Sequence, residues 1–114
     1  MKLTGKAKEV FDKWFVTYTN EQLGSKRDDF ADDDDMLDAF YKTLIPPMQW
    51  GVYQDWADSL GYEISTGRIF EKVWGADIIV WSNDEVMLWE DEYDTRQEAR
   101  NAAVEKLNEL INNN

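Results

Sequence analysis

The hydrophobic period of this chain changes twice, and those two changes constrain its fold more than any motif. Up to Leu60 the apolar residues recur at helical spacing; from Tyr62 onward they come in short runs rich in β-branched and aromatic residues; after Thr95 helical spacing returns. Helices and strands are therefore segregated along the chain. A parallel sheet needs a crossover element between successive strands, so segregation favours an α+β fold with an antiparallel sheet. The expectation is three N-terminal helices, a three- or four-stranded antiparallel sheet and a C-terminal helix packed on the sheet, in a single α+β domain spanning 1–114.

In the first segment Ala7, Val10, Phe11, Trp14, Phe15 and Tyr18 share one helical face, with Thr4 as the expected N-cap. This helix is expected to fade near Thr19 and Asn20, and Gly24-Ser25 marks a loop. Met36, Leu37, Phe40, Tyr41 and Leu44 signal a second helix that Pro46-Pro47 closes, because the residue before a proline is pushed out of the helical region. The two prolines can open a third helix, whose face is Trp50, Tyr53, Trp56, Ala57 and Leu60 and whose end is Gly61. The runs YEIS, RIFEKVW, DIIVWS and EVMLWE follow, separated by TG, GA and ND. Thr95 and Glu98 fit a capping box at the start of the last helix, whose apolar stripe is Ala99, Ala102, Ala103, Leu107, Leu110 and Ile111. The alanines let that helix approach a sheet closely.

The chain has 114 residues, enough for one core that buries about two thirds of the surface an unfolded chain exposes. With 43% apolar residues and six tryptophans there is ample material to fill it. Cysteine and histidine are both absent, which excludes disulfide scaffolds, thiol nucleophiles, serine or cysteine catalysis assisted by histidine, and the usual zinc sites. No phosphate loop, nucleophile elbow or glycine-rich fingerprint is present, and no cofactor is expected. The start MKLTGKAKEVF lacks the apolar core of a signal peptide, and no stretch approaches a membrane span, so a cytoplasmic protein without membrane contact is expected.

The net charge of −12 is unevenly placed. Residues 28–63 hold ten carboxylates against one lysine, whereas residues 1–27 hold six cations against three carboxylates. Such a field repels nucleic acid and speeds encounter with a basic protein. Its densest part is DDFADDDDMLDAF, residues 28–40. An EF-hand reading fails there: the loop needs oxygen ligands at positions 1, 3 and 5, glycine at 6 and glutamate at 12, and no starting point supplies them. Part of the run serves as N-cap and first turn of the second helix, where a carboxylate contributes about 0.3–1 kcal/mol. One or two suffice, and the remainder repel one another. That excess makes Asp28, Asp29, Asp32, Asp33, Asp34, Asp35 and Asp38 a candidate partner-binding surface, with Asp55, Asp58 and Glu63 as extensions.

The tryptophans are the second candidate. Trp14 and Trp56 fall on core faces, and Trp74, Trp81 and Trp89 on strands; six indoles are many for one small core, so one or two are expected to be exposed as interface anchors. Trp50 and Trp89 are the expected anchors, Trp50 because it stands beside Gly51 near a loop and Trp89 because Glu90, Asp91 and Glu92 follow it. Asp55 and Asp58 are compatible with acid–base chemistry, though such pairs are unavoidable among 24 acidic residues.

The stretches PPMQWGVYQDWADSLG (46–61) and DTRQEARNAAVEKLNEL (94–110), with the opening KAKEVFDKWF, resemble a family of small uncharacterised bacteriophage and prophage proteins that pair an MQWGVY helix with a TRQEAR helix. The resemblance implies a phage-type accessory protein and assigns no role to any residue. The closing helix is also similar to the last helix of double-stranded RNA-binding domains, but those grip phosphates with basic residues, which this acidic chain does not offer. The resulting expectation is a small acidic accessory protein, a monomer or homodimer, that binds a basic host protein and performs no chemistry of its own. Two alternatives stand beside it: a DNA-mimicking inhibitor of a host nucleic-acid enzyme, and a weak carboxylate-based hydrolase.

Overall fold

A computed structural model describes residues 3–23, 32–88 and 91–113. The elements run α1 (Gly5–Leu23), α2 (Asp33–Lys42), α3 (Pro46–Ser59), β1 (Tyr62–Phe70), β2 (Val73–Val80), β3 (Glu85–Leu88) and α4 (Arg96–Asn112). The sheet is antiparallel throughout, with strand order β1-β2-β3, and α4 packs on β1 and β2. This is the α+β arrangement of three helices, a sheet and a docked closing helix, with three strands among the described residues.

The strands differ in detail from the runs that signal them. Thr66-Gly67 lies inside β1 and Gly75-Ala76 inside β2, with Gly67 opposite Gly75, and the chain turns instead at Glu71-Lys72. A bulge between Arg68 and Phe70 shifts the register there. At Gly75 a Cβ would stand 2.9 Å from Ile69 Cδ1, so the end of the half-exposed isoleucine side chain occupies that space and would have to move for a larger residue.

Alternation divides the sheet into two faces. Ile64, Ala76 and Ile78 are buried and join the same core as the helices, whereas their neighbours Glu63, Ser65, Asp77 and Ile79 are not buried. The helices thus cover one face only. Between them and the sheet lies an aromatic cluster centred on Phe11, whose ring is 5.1 Å from each of Phe40, Tyr53 and Trp56, centroid to centroid. Aromatic pairs in tilted and edge-on arrangements add about 0.5–1.5 kcal/mol each beyond the area they bury.

The first helix departs from expectation at both ends. It does not fade at Thr19 but continues to Leu23, and the Thr17 and Thr19 hydroxyls donate back to the Lys13 and Phe15 carbonyls at 3.5 and 2.7 Å, which keeps them from competing for the backbone N–H groups. Thr4 does hold the N-cap position, its carbonyl accepting the Lys8 N–H at 3.3 Å, but its hydroxyl does not make the capping bond. Its hydroxyl accepts from the Asn108 and Asn112 side-chain amides, and it is Asn112 Oδ1, at the far end of α4, that accepts the Ala7 N–H at 2.8 Å. Gly5 makes this approach feasible: it sits at φ +56°, and a Cβ there would lie 3.2 Å from the same Asn112 oxygen. A cap made by a residue 105 positions away leaves no local signature.

Helix α4 follows its sequence signals closely. Thr95 Oγ1 accepts the Glu98 N–H at 3.1 Å, and Glu98 reaches back to the Asp94 N–H at 3.3 Å. Ala99, Ala103, Leu107 and Ile111 are buried as expected, Ala102 and Leu110 are half-buried, and Val104 joins the buried set. Among the described residues no helix is long and apolar enough to cross a membrane.

Candidate functional site

The aspartate run divides at the boundary of the described residues. Asp28 and Asp29 lie outside them. Asp32 is the N-cap of α2, in extended conformation, and its Oδ1 accepts the Asp35 N–H at 2.9 Å. Asp33, Asp34 and Asp35 fill the first turn, and all four side chains are exposed. One turn further on, exposed Asp38 lies 3.6 Å from Lys42, an i,i+4 pair of the kind that stabilises a helix by only about 0.3–0.5 kcal/mol. One carboxylate therefore makes the cap, and the others add charge to the same exposed turn. Among the described residues, no group of three or more carboxylates is placed to hold a metal ion.

The α3 carboxylates are less available than their sequence positions suggest. Asp55 is exposed but accepts the Tyr18 phenol at 2.9 Å, and Tyr18 titrates higher than a free tyrosine through burial, this hydrogen bond and the Asp55 charge, in that order. Asp58 is exposed and Glu63 half-buried. A second phenol, on α2, secures that helix to α1: Tyr41 donates to Asp12 at 2.6 Å, and its pKa is driven up, first by burial and then by that hydrogen bond.

The tryptophan expectations need correction. Trp50 is 5% exposed, because its helix turns it inward and Arg100 from α4 lies over its ring at 5.5 Å. It is a core residue and not an exposed anchor. Trp89 lies outside the described residues. Trp81, expected on a strand, is instead in the turn after β2 and 54% exposed, and its backbone N–H donates to the Gly61 carbonyl at 3.0 Å. Alternation from Ile79 gives Trp81 the uncovered side of the sheet, the side of Val86, which pairs with Ile79 and is 52% exposed.

One feature of the site chemistry is not signalled by any motif. Tyr93 exchanges two backbone hydrogen bonds with Trp74, of 2.8 and 2.9 Å, which brings the chain to the sheet just before α4 begins. The first residue of α4, Arg96, then covers the Trp74 ring at 4.6 Å, while Arg68, the strand partner of Trp74, lies 5.0 Å from the same ring. Arg100, one turn after Arg96, covers Trp50, and its Nε is buried without a hydrogen-bond partner. Burial, and then the charge of Arg96, lower the Arg100 pKa. The spacing of Arg96 and Arg100 at i and i+4 is readable in the sequence, but their gathering with Arg68 depends on strand register.

No protein-family model, curated protein or solved structure matches this chain. Function is therefore argued from its own surfaces.

Proposed function

We propose that this is a small phage-type accessory protein that acts by binding a basic protein, through the exposed carboxylates at the start of α2. The observation that supports this reading is the density of exposed carboxylates: Asp32 accepts the cap bond, Asp33, Asp34 and Asp35 fill the same exposed turn, and exposed Asp38 stands one turn further on. Crowded like charges lower stability, and a basic partner relieves that repulsion on contact. Electrostatic attraction of this kind accelerates encounter, while apolar contacts set how long the complex lasts. Exposed Trp81 and Val86 offer such contacts elsewhere on the surface.

The test is affinity capture from bacterial lysate with the wild-type chain and with an Asp33→Asn, Asp34→Asn, Asp35→Asn triple variant. A basic protein retained at low salt by the wild type and lost from the variant is the expected result. Identical retained sets would contradict the proposal. A captured enzyme that releases its nucleic acid on binding would select the narrower reading of DNA mimicry.

A further inference from the structure

Twelve cations share this chain with 24 carboxylates. Among the described residues Lys8 pairs with Asp12, Lys42 with Asp38 and Lys106 with Glu109. Arg68, Arg96 and Arg100 do not: they gather on two indoles, and none of them has an ion pair or a side-chain hydrogen bond among the described residues. Covering tryptophan does not require this. An apolar side chain would shield the same area, and a cation over an aromatic ring adds only about 0.5–1 kcal/mol at an exposed site. Placing two cations on one ring also sets them against each other. A guanidinium does not shed its proton near neutral pH, so the charge stays until an anion neutralises it.

We propose that Arg68, Arg96 and Arg100 form a binding site for the phosphate monoester group of a small ligand, with Trp74 holding the guanidinium groups of Arg68 and Arg96 and Trp50 holding that of Arg100. Phosphate fits better than carboxylate for two reasons. A phosphate monoester carries about 1.5–2 negative charges at pH 7 and three terminal acceptor oxygens, whereas a carboxylate is satisfied by a single guanidinium fork. Arg96 is also the first residue of the 17-residue α4, whose free N–H groups and positive dipole end favour an anion. Glu98, which stands between Arg96 and Arg100 in sequence, accepts the Asp94 N–H and makes no ion pair with the three arginines among the described residues. The negative charge of the whole chain opposes anion binding at long range, but beyond about 8 Å it is largely screened at physiological ionic strength, while the three arginines act at contact. The site is distinct from the start of α2 and stands or falls without it.

The experiment is an NMR titration of the full ¹⁵N-labelled chain with glycerol phosphate at constant ionic strength, following the Trp74 indole and arginine Nε–H signals, with acetate as the comparison anion. Saturable shifts centred on Trp74, Arg68, Arg96 and Arg100, with little response to acetate, are expected. Arg96→Gln and Arg68→Gln, both at exposed positions, should each weaken binding about tenfold, the loss of one charge-assisted contact, while circular dichroism shows the fold retained. Shifts that rise without saturating, an equal response to acetate, or unchanged affinity in both variants would overturn the proposal.

Discussion

The starts of α2 and α4 solve the same problem with opposite economy. Each helix is capped by one side-chain oxygen on the N–H three residues on, Asp32 to Asp35 at 2.9 Å and Thr95 to Glu98 at 3.1 Å. At α4 the cap uses one hydroxyl, one glutamate closes the box, and arginines follow at once. At α2 three more aspartates fill the first turn and a fourth stands beyond it. One oxygen caps either helix, and the two starts differ in the charge around the cap. One start concentrates negative charge on an open surface, and the other gathers arginines that make no ion pair among the described residues against two indoles. An acidic chain that keeps both has sorted its charges instead of pairing them.

The comparison can be broken from its structural side first. If α4 is docked as tightly as Ala99 and Ala103 imply, both fully buried, then Ala103→Leu should overpack the interface and cost about 1–3 kcal/mol in urea unfolding. A neutral result would mean the closing helix does not rest on the sheet at that position. Removing either cap should cost less: Thr95→Ala and Asp32→Ala are each expected to lose about 1 kcal/mol, read as parallel shifts of the unfolding midpoint at constant slope. Similar losses at both sites would establish that the caps are equivalent, as their geometry implies.

Smaller effects sharpen the contrast. The Asp33, Asp34, Asp35 to Asn triple variant should move stability by less than about 0.5 kcal/mol, because lost dipole interaction and relieved repulsion oppose each other. A loss well above that would make the extra carboxylates part of the fold. Smallest of all is the expected response to calcium: millimolar calcium should raise the melting temperature no more than magnesium does, since a site specific to the folded state would stabilise it by mass action.

What could be read in the sequence was whatever depends on near neighbours. The capping box at Thr95, the proline start of α3, the Asp32 cap and the antiparallel order all rest on residues within a turn or a hairpin of one another. What could not be read depends on distant parts meeting. Asn112 caps α1 across 105 positions, and Trp81 is exposed because β2 ends one residue earlier, whereas the burial of Trp50 follows the apolar face of α3 that its spacing already signals. The glycines at 67 and 75 suggested breaks, yet they face each other inside a hairpin, with the Ile69 side chain beside Gly75. The arginine cluster belongs to the same class, since Arg68 joins Arg96 only through the register that places both on Trp74.

The claim that the charge at α2 serves recognition is tested most directly by the association rate of a captured basic partner with the wild-type chain and with the triple asparagine variant, at low and at high salt. Slower association of the variant at low salt is expected, with the difference closing as the Debye length falls from about 10 Å at 0.1 M to about 3 Å at 1 M. Equal association rates at low salt would contradict the account and leave the aspartates as a crowded helix start.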